Sequence, residues 1–154
     1  MLERTFLRLL TCERGAVAIE TAIVAPMLVL MALGGFDTSQ LIARQTELDS
    51  AAAEAASIVR AKAPSTTADL NTIRDIVKTS IDPNNTDPHD VVTVTQIYRC
   101  GTAASYTTTN NCASGVKVST YVKLQITDVY SPQWTKFGIG SNVNYAVNRV
   151  VQVS

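Results

Sequence analysis

From Ala16 to Phe36 the chain is one apolar run, and Glu20 is its only charge. As a helix rising about 1.5 Å per residue, the run reaches about 30 Å, enough to cross a bilayer. A carboxylate inside such a segment costs about 2.5–3.5 kcal/mol on insertion scales, which makes Glu20 a functional candidate by default. Five residues before it stands Gly15, the last residue of a short basic leader.

The flanks set an orientation. Arg4, Arg8 and Arg14 precede the run, and the first basic residue beyond it is Arg44. The positive-inside bias then puts the N-terminus in the cytoplasm and the rest of the chain beyond the membrane. The expected division is a leader at 1–15, a membrane helix at 16–36 and an exported domain at 37–154. Pro26 removes the hydrogen bond to the carbonyl of Ala22, so a kink or local loosening is expected there. Gly34 and Gly35 weaken the helix near its outer end.

Beyond the run the pattern stays helical but becomes amphipathic. Leu41, Leu48, Ala52, Ala55 and Val59 recur at helical spacing. The alanines at 51, 52, 53, 55 and 56 make one face thin enough for a close neighbour, and Pro64 ends the element. A second helix is expected from Thr66, with Asp69 completing a capping box and Leu70, Ile73, Val77 and Ile81 forming its stripe. Asp82 to Pro88 reads as a turn-rich linker. Three strands follow, at 91–98, 116–127 and 143–153, each rich in Val, Thr or Ile; the last two alternate with period two. The expected fold class is therefore α+β: a long N-terminal helix, a second helix and a small antiparallel sheet packed on the outer half of the first.

Cysteine positions bear on the compartment. Cys12 precedes the membrane run, whereas Cys100 and Cys112 lie far beyond it. If the domain is exported, the last two meet an oxidising compartment and can pair, and closing a loop of that size stabilises by about 2–4 kcal/mol. Two free thiols in a cytosolic domain is the alternative.

Gly-x-x-x-x-Glu between a basic leader and an apolar helix resembles the processing site of type IV prepilins. The longer string from Arg14 to Pro26 (Arg-Gly-Ala-Val-Ala-Ile-Glu-Thr-Ala-Ile-Val-Ala-Pro) is similar to the TadE-like pseudopilins of the tight-adherence pilus, including the proline six residues after the glutamate. The aromatic that usually follows the glutamate is replaced by Thr21. The resemblance implies cleavage between Gly15 and Ala16 by a prepilin peptidase. It also implies a role for Glu20 in processing or assembly, with other pilin and pseudopilin subunits and inner-membrane lipid as partners. A minor subunit is implied rather than a major one, because major subunits of that system are much shorter. In such an assembly the new amino terminus of a neighbouring subunit is a suitable partner for the Glu20 carboxylate. That pairing would fix the axial register between subunits.

Other chemistry is thinly represented. Net charge is zero over 154 residues and no basic stripe appears, so no nucleic-acid partner is expected. His89 is the only histidine. With Asp82, Asp87 and Asp90 it could meet a cation, but the spacing matches no known loop pattern, so no metal is expected. No catalytic triad, Cys-x-x-Cys or phosphate loop is present; the chain is not expected to be an enzyme or to carry a cofactor. Trp134 and Phe137 share a loop that either caps the core or meets a neighbour. Two other functions compete with the tight-adherence reading. One is a type II secretion pseudopilin, although those usually carry Phe or Met where Ala16 stands. The other is an uncleaved membrane-anchored periplasmic binding domain.

Overall fold

The computed structural model of the protein describes residues 13–138 and 140–154, and the side chains of residues 13–16 and Phe137 lie outside that description. The expected leader residues up to Cys12 also lie outside the described residues. Helix α1 spans Glu13–Lys62 and α2 spans Thr67–Ile81. Strands β1 (Val91–Cys100), β2 (Val118–Tyr130) and β3 (Val143–Gln152) follow, with a short 3-10 helix at Gln133–Phe137 between the last two. The expected α+β class and its element order are borne out. Chain contacts divide the protein into two compact units, Met1–Gln40 and Leu41–Ser154, and α1 contributes to both.

In the first unit the helix runs unbroken through Pro26 and through Gly34 and Gly35. Its apolar side chains stand outward, with Ile19, Leu30 and Met31 each about two-thirds exposed or more (66%, 67% and 74%). Residues Val17 onward form a helix long and apolar enough to cross a membrane. Thr21 and Thr38 return their hydroxyls to the carbonyls of Val17 and Gly34, both at 2.8 Å. This turn-back bond is how a hydroxyl is satisfied on an apolar helix.

The second unit is a three-stranded antiparallel sheet in the order β1-β2-β3. Val92 faces Ile126 and Val94 faces Leu124 across the first pair; Val122 faces Val151 and Ile126 faces Val147 across the second. Alternation places Val122, Leu124 and Ile126 inward, where they meet Leu48, Ala52, Ala55 and Val59 of α1 and Ile73, Val77 and Ile81 of α2. Ala52 and Ala55 are fully buried, so the thin face of α1 is a packing surface. Each Ile or Val so buried stabilises by about 1.5–3 kcal/mol relative to leaving it exposed.

The caps follow the local sequence. Ala63 takes a left-handed φ of 43° and returns its N–H to Val59, ending α1 one residue before Pro64. Thr66 caps α2 by accepting from the Asp69 N–H, and the Asp69 carboxylate accepts from the Thr66 N–H, as the sequence leads one to expect.

Candidate functional site

Two places carry side chains whose chemistry exceeds packing. The first is the Glu20 surface of α1, the helix long and apolar enough to cross a membrane. The Gly15–Ala16 bond lies within the described part of α1. Glu20 is exposed and shares a shallow depression with Thr21, Val24, Ala25 and Leu28. A carboxylate on an otherwise apolar wall cannot be satisfied by hydrocarbon and requires a polar partner.

The second place is centred on Arg44, in the other unit. Its Nε donates to Asp128 Oδ2 at 2.7 Å, and one terminal nitrogen donates to both carboxylate oxygens of Asp90, at 2.8 and 3.0 Å. The other terminal nitrogen reaches Glu47 at 3.0 Å and the Ile81 carbonyl at 3.2 Å. Arg44 thereby joins α1 to the end of α2, the segment before β1, and β2. The Asp90 side chain is fully buried and that of Asp128 is 3% exposed. Such ion pairs hold a fixed geometry, because breaking one leaves an uncompensated buried charge.

The electrostatics are uneven. Burial opposes the charge on Arg44, but its hydrogen bonds to Asp128 and Glu47 win and hold its guanidinium firmly protonated. Asp90 moves the other way: burial lifts its carboxyl above the ordinary range, Arg44 pulls it back, and the charges of Asp128 and Asp87 add to the rise. One carboxylate oxygen each from Asp87, Asp90 and Asp128 lies within 4.8 Å of the others. Asp82, the residue after α2, accepts from the Asp87 N–H at 3.0 Å, and that bond holds its carboxyl below the ordinary range. Arg44, Asp82, Asp87, His89, Asp90 and Asp128 line an open pocket of about 450 Å³. Tyr145 seats its hydroxyl on the Leu41 carbonyl at 3.0 Å nearby, and burial raises its phenol.

The loop from Cys100 to Cys112 is closed by the expected disulfide. Gly101, at φ 55°, makes the turn out of β1 and donates to Lys117, with Val116 too close to a would-be Cβ for comfort (3.3 Å). Tyr98 and Thr107 exchange backbone hydrogen bonds at 2.8 and 2.9 Å, so the loop lies along the outer edge of β1. Tyr106 stands edge-on to Tyr121 at 5.1 Å, and Arg99 lies over the same ring at 5.5 Å. Trp134 is half-buried in the 3-10 helix.

Of the expected site residues, the structure brings Cys100 and Cys112 together and places Glu20 and Pro26 on one exposed helix. The Arg44 network was missed. Its signal was present: Arg44 falls on the core stripe between Leu41 and Leu48, and Asp90 and Asp128 occupy inward positions of the strand alternation. Charges of both signs at core positions predict one another.

Among the described residues, one N-terminal helix is long and apolar enough to cross a membrane, and it continues in sequence into a disulfide-closed α+β domain. The family model described as TadE-like protein matches residues 15–57, which bears out the resemblance read from Arg14 to Pro26. No curated protein and no solved structure matches the chain.

Proposed function

We propose that the protein is a minor pilin or pseudopilin of a tight-adherence type IV pilus, trimmed after Gly15 by a prepilin peptidase and needed for assembly of the fibre. The observation that carries this reading is the TadE-like match, which begins at Gly15 and contains Glu20 on an exposed apolar helix. The N-terminus faces the cytoplasm and the disulfide-bonded domain faces the periplasm, in keeping with the Arg4, Arg8 and Arg14 flank and with a disulfide that needs an oxidising compartment. The buried Arg44 network serves structure rather than catalysis: its guanidinium is already engaged by Asp90, Asp128 and Glu47.

N-terminal sequencing of the membrane-extracted protein tests the processing step. A mature chain starting at Ala16 supports it; an intact leader on all molecules points to a stably anchored periplasmic domain. Replacing Gly15 by leucine should leave full-length precursor in the membrane, since a side chain beside the scissile carbonyl obstructs a peptidase working at the membrane face.

A further inference from the structure

The two edges of the sheet are treated unequally. On β1 the backbone groups that point away from β2 belong to Val92, Val94, Gln96 and Tyr98: Tyr98 is paired by the disulfide loop, Val92 is buried, and the other two are half-buried. On β3 the Val153 N–H bonds to Thr120 on β2, so the alternation turns residues 144, 146, 148, 150 and 152 outward. All five (Asn144, Ala146, Asn148, Val150 and Gln152) are exposed. None is charged and none is proline, so the usual protections of an open edge are missing at the positions that would bond.

We propose that the open edge of β3 is a self-pairing surface, on which a second copy of this chain adds its own β3 antiparallel about a two-fold axis at Asn148. The occupant follows from the edge itself. Read in either direction, the outward residues run amide, apolar, amide, apolar, amide. A two-fold at Asn148 sets Asn148 on its own copy, Ala146 against Val150, and Asn144 against Gln152. Every amide meets an amide, the apolar pairs meet each other, and no like charges stand opposite. Pairing β3 on β3 about a two-fold uses up both β3 edges and closes as an isologous dimer, and on the β1 edge Tyr98 is already paired by the disulfide loop. Arg149 projects from the other face, and the two-fold brings it diagonal to its copy, about 7–8 Å away along the ladder. Added salt therefore strengthens the dimer. The surface belongs to the second compact unit and does not depend on the pilus reading.

The test uses the full chain in detergent, with Cys12→Ser to remove the extra thiol. Directly opposed residues of a bonded antiparallel pair sit about 5.5 Å apart at Cα, within disulfide reach. Asn148→Cys should form a covalent homodimer on mild oxidation, more so at higher salt, while Thr93→Cys on the outer face of β1 should not. Ala146→Pro, which removes an outward N–H and leaves the β2 ladder intact, should reduce cross-linking to the Thr93→Cys level. Asn144→Lys with Gln152→Lys sets lysines opposite each other and should do the same without any backbone change. Absence of a homodimer, a homodimer insensitive to both changes, or capture of a different protein by Asn148→Cys would overturn the proposal.

Discussion

Arg44 Nε and Asp128 Oδ2 stand 2.7 Å apart across 84 positions of sequence, fastening helix α1 to the middle strand of the sheet. The pair is not alone: Asp90 takes the neighbouring nitrogen, so one guanidinium serves two buried carboxylates. Removing the guanidinium strands both charges, whereas removing one carboxylate leaves the other still paired. Arg44→Ala should therefore destabilise the protein by about 3–5 kcal/mol. Asp128→Asn should cost less, because Asp90 remains to hold Arg44. Denaturant unfolding of the detergent-solubilised protein measures both, and equal losses would contradict the shared-guanidinium arrangement.

The same cluster gives a pH dependence of defined sign. Burial and the charges of Asp128 and Asp87 raise the Asp90 carboxyl. A raised carboxyl binds its proton more tightly folded than unfolded. Its stabilising contribution is complete below the ordinary carboxylate value of about 3.9 and is lost as pH rises through the raised value. Asp82 and Asp69 act oppositely: the Asp87 N–H and the Thr66 hydroxyl lower them, so their contribution is present above the ordinary value and fades in acid. As pH falls from 7 toward about 4, the wild type should gain stability relative to Asp90→Asn. A melting-temperature difference between the two that stays flat over this range would count against the assignment.

How far the sequence carried the fold depended on the kind of signal. Thr66 and Asp69 announced the start of α2 because a capping box is a contact within four residues. Leu124 and Ile126 announced β2 because alternation is local too. The strand ends shifted by a few residues, with β2 running on to Tyr130, since pairing with β3 sets where a strand stops. The Arg44 network was harder to see: Arg44, Asp90 and Asp128 meet only after three elements pack, and each alone resembles a solvated charge. The pairing of the Cys100–Cys112 loop onto Tyr98 of β1 was equally hidden, although the cysteine pair itself was plain.

The disulfide should act on that edge as well as on the unfolded chain. Closing the loop from Cys100 to Cys112 stabilises by about 2–4 kcal/mol. Replacing both cysteines by serine should lower stability by that amount. It should also raise amide exchange at Tyr98, whose N–H bonds to Thr107 within the loop. Alkylation of the wild-type protein without reductant should find no reactive thiol at either position.

Glu20 offers the sharpest test of the role in assembly. It is exposed on a helix whose neighbours Ile19, Ile23 and Val24 are apolar, and on the proposed reading lipid or another subunit covers it. Lipid cannot satisfy a carboxylate; the ammonium group of an adjacent mature subunit can. Glu20→Gln keeps the size and some hydrogen bonding while removing the charge. The variant should insert in the membrane at least as well as the wild type, because the costly carboxylate is gone. On the proposed role, pilus formation should nevertheless fall sharply, since the pair proposed to set subunit register is lost. Counting pili by electron microscopy, alongside immunoblots of membrane and sheared fractions, separates insertion from assembly. Wild-type numbers of pili in cells carrying Glu20→Gln would reduce Glu20 to a tolerated residue.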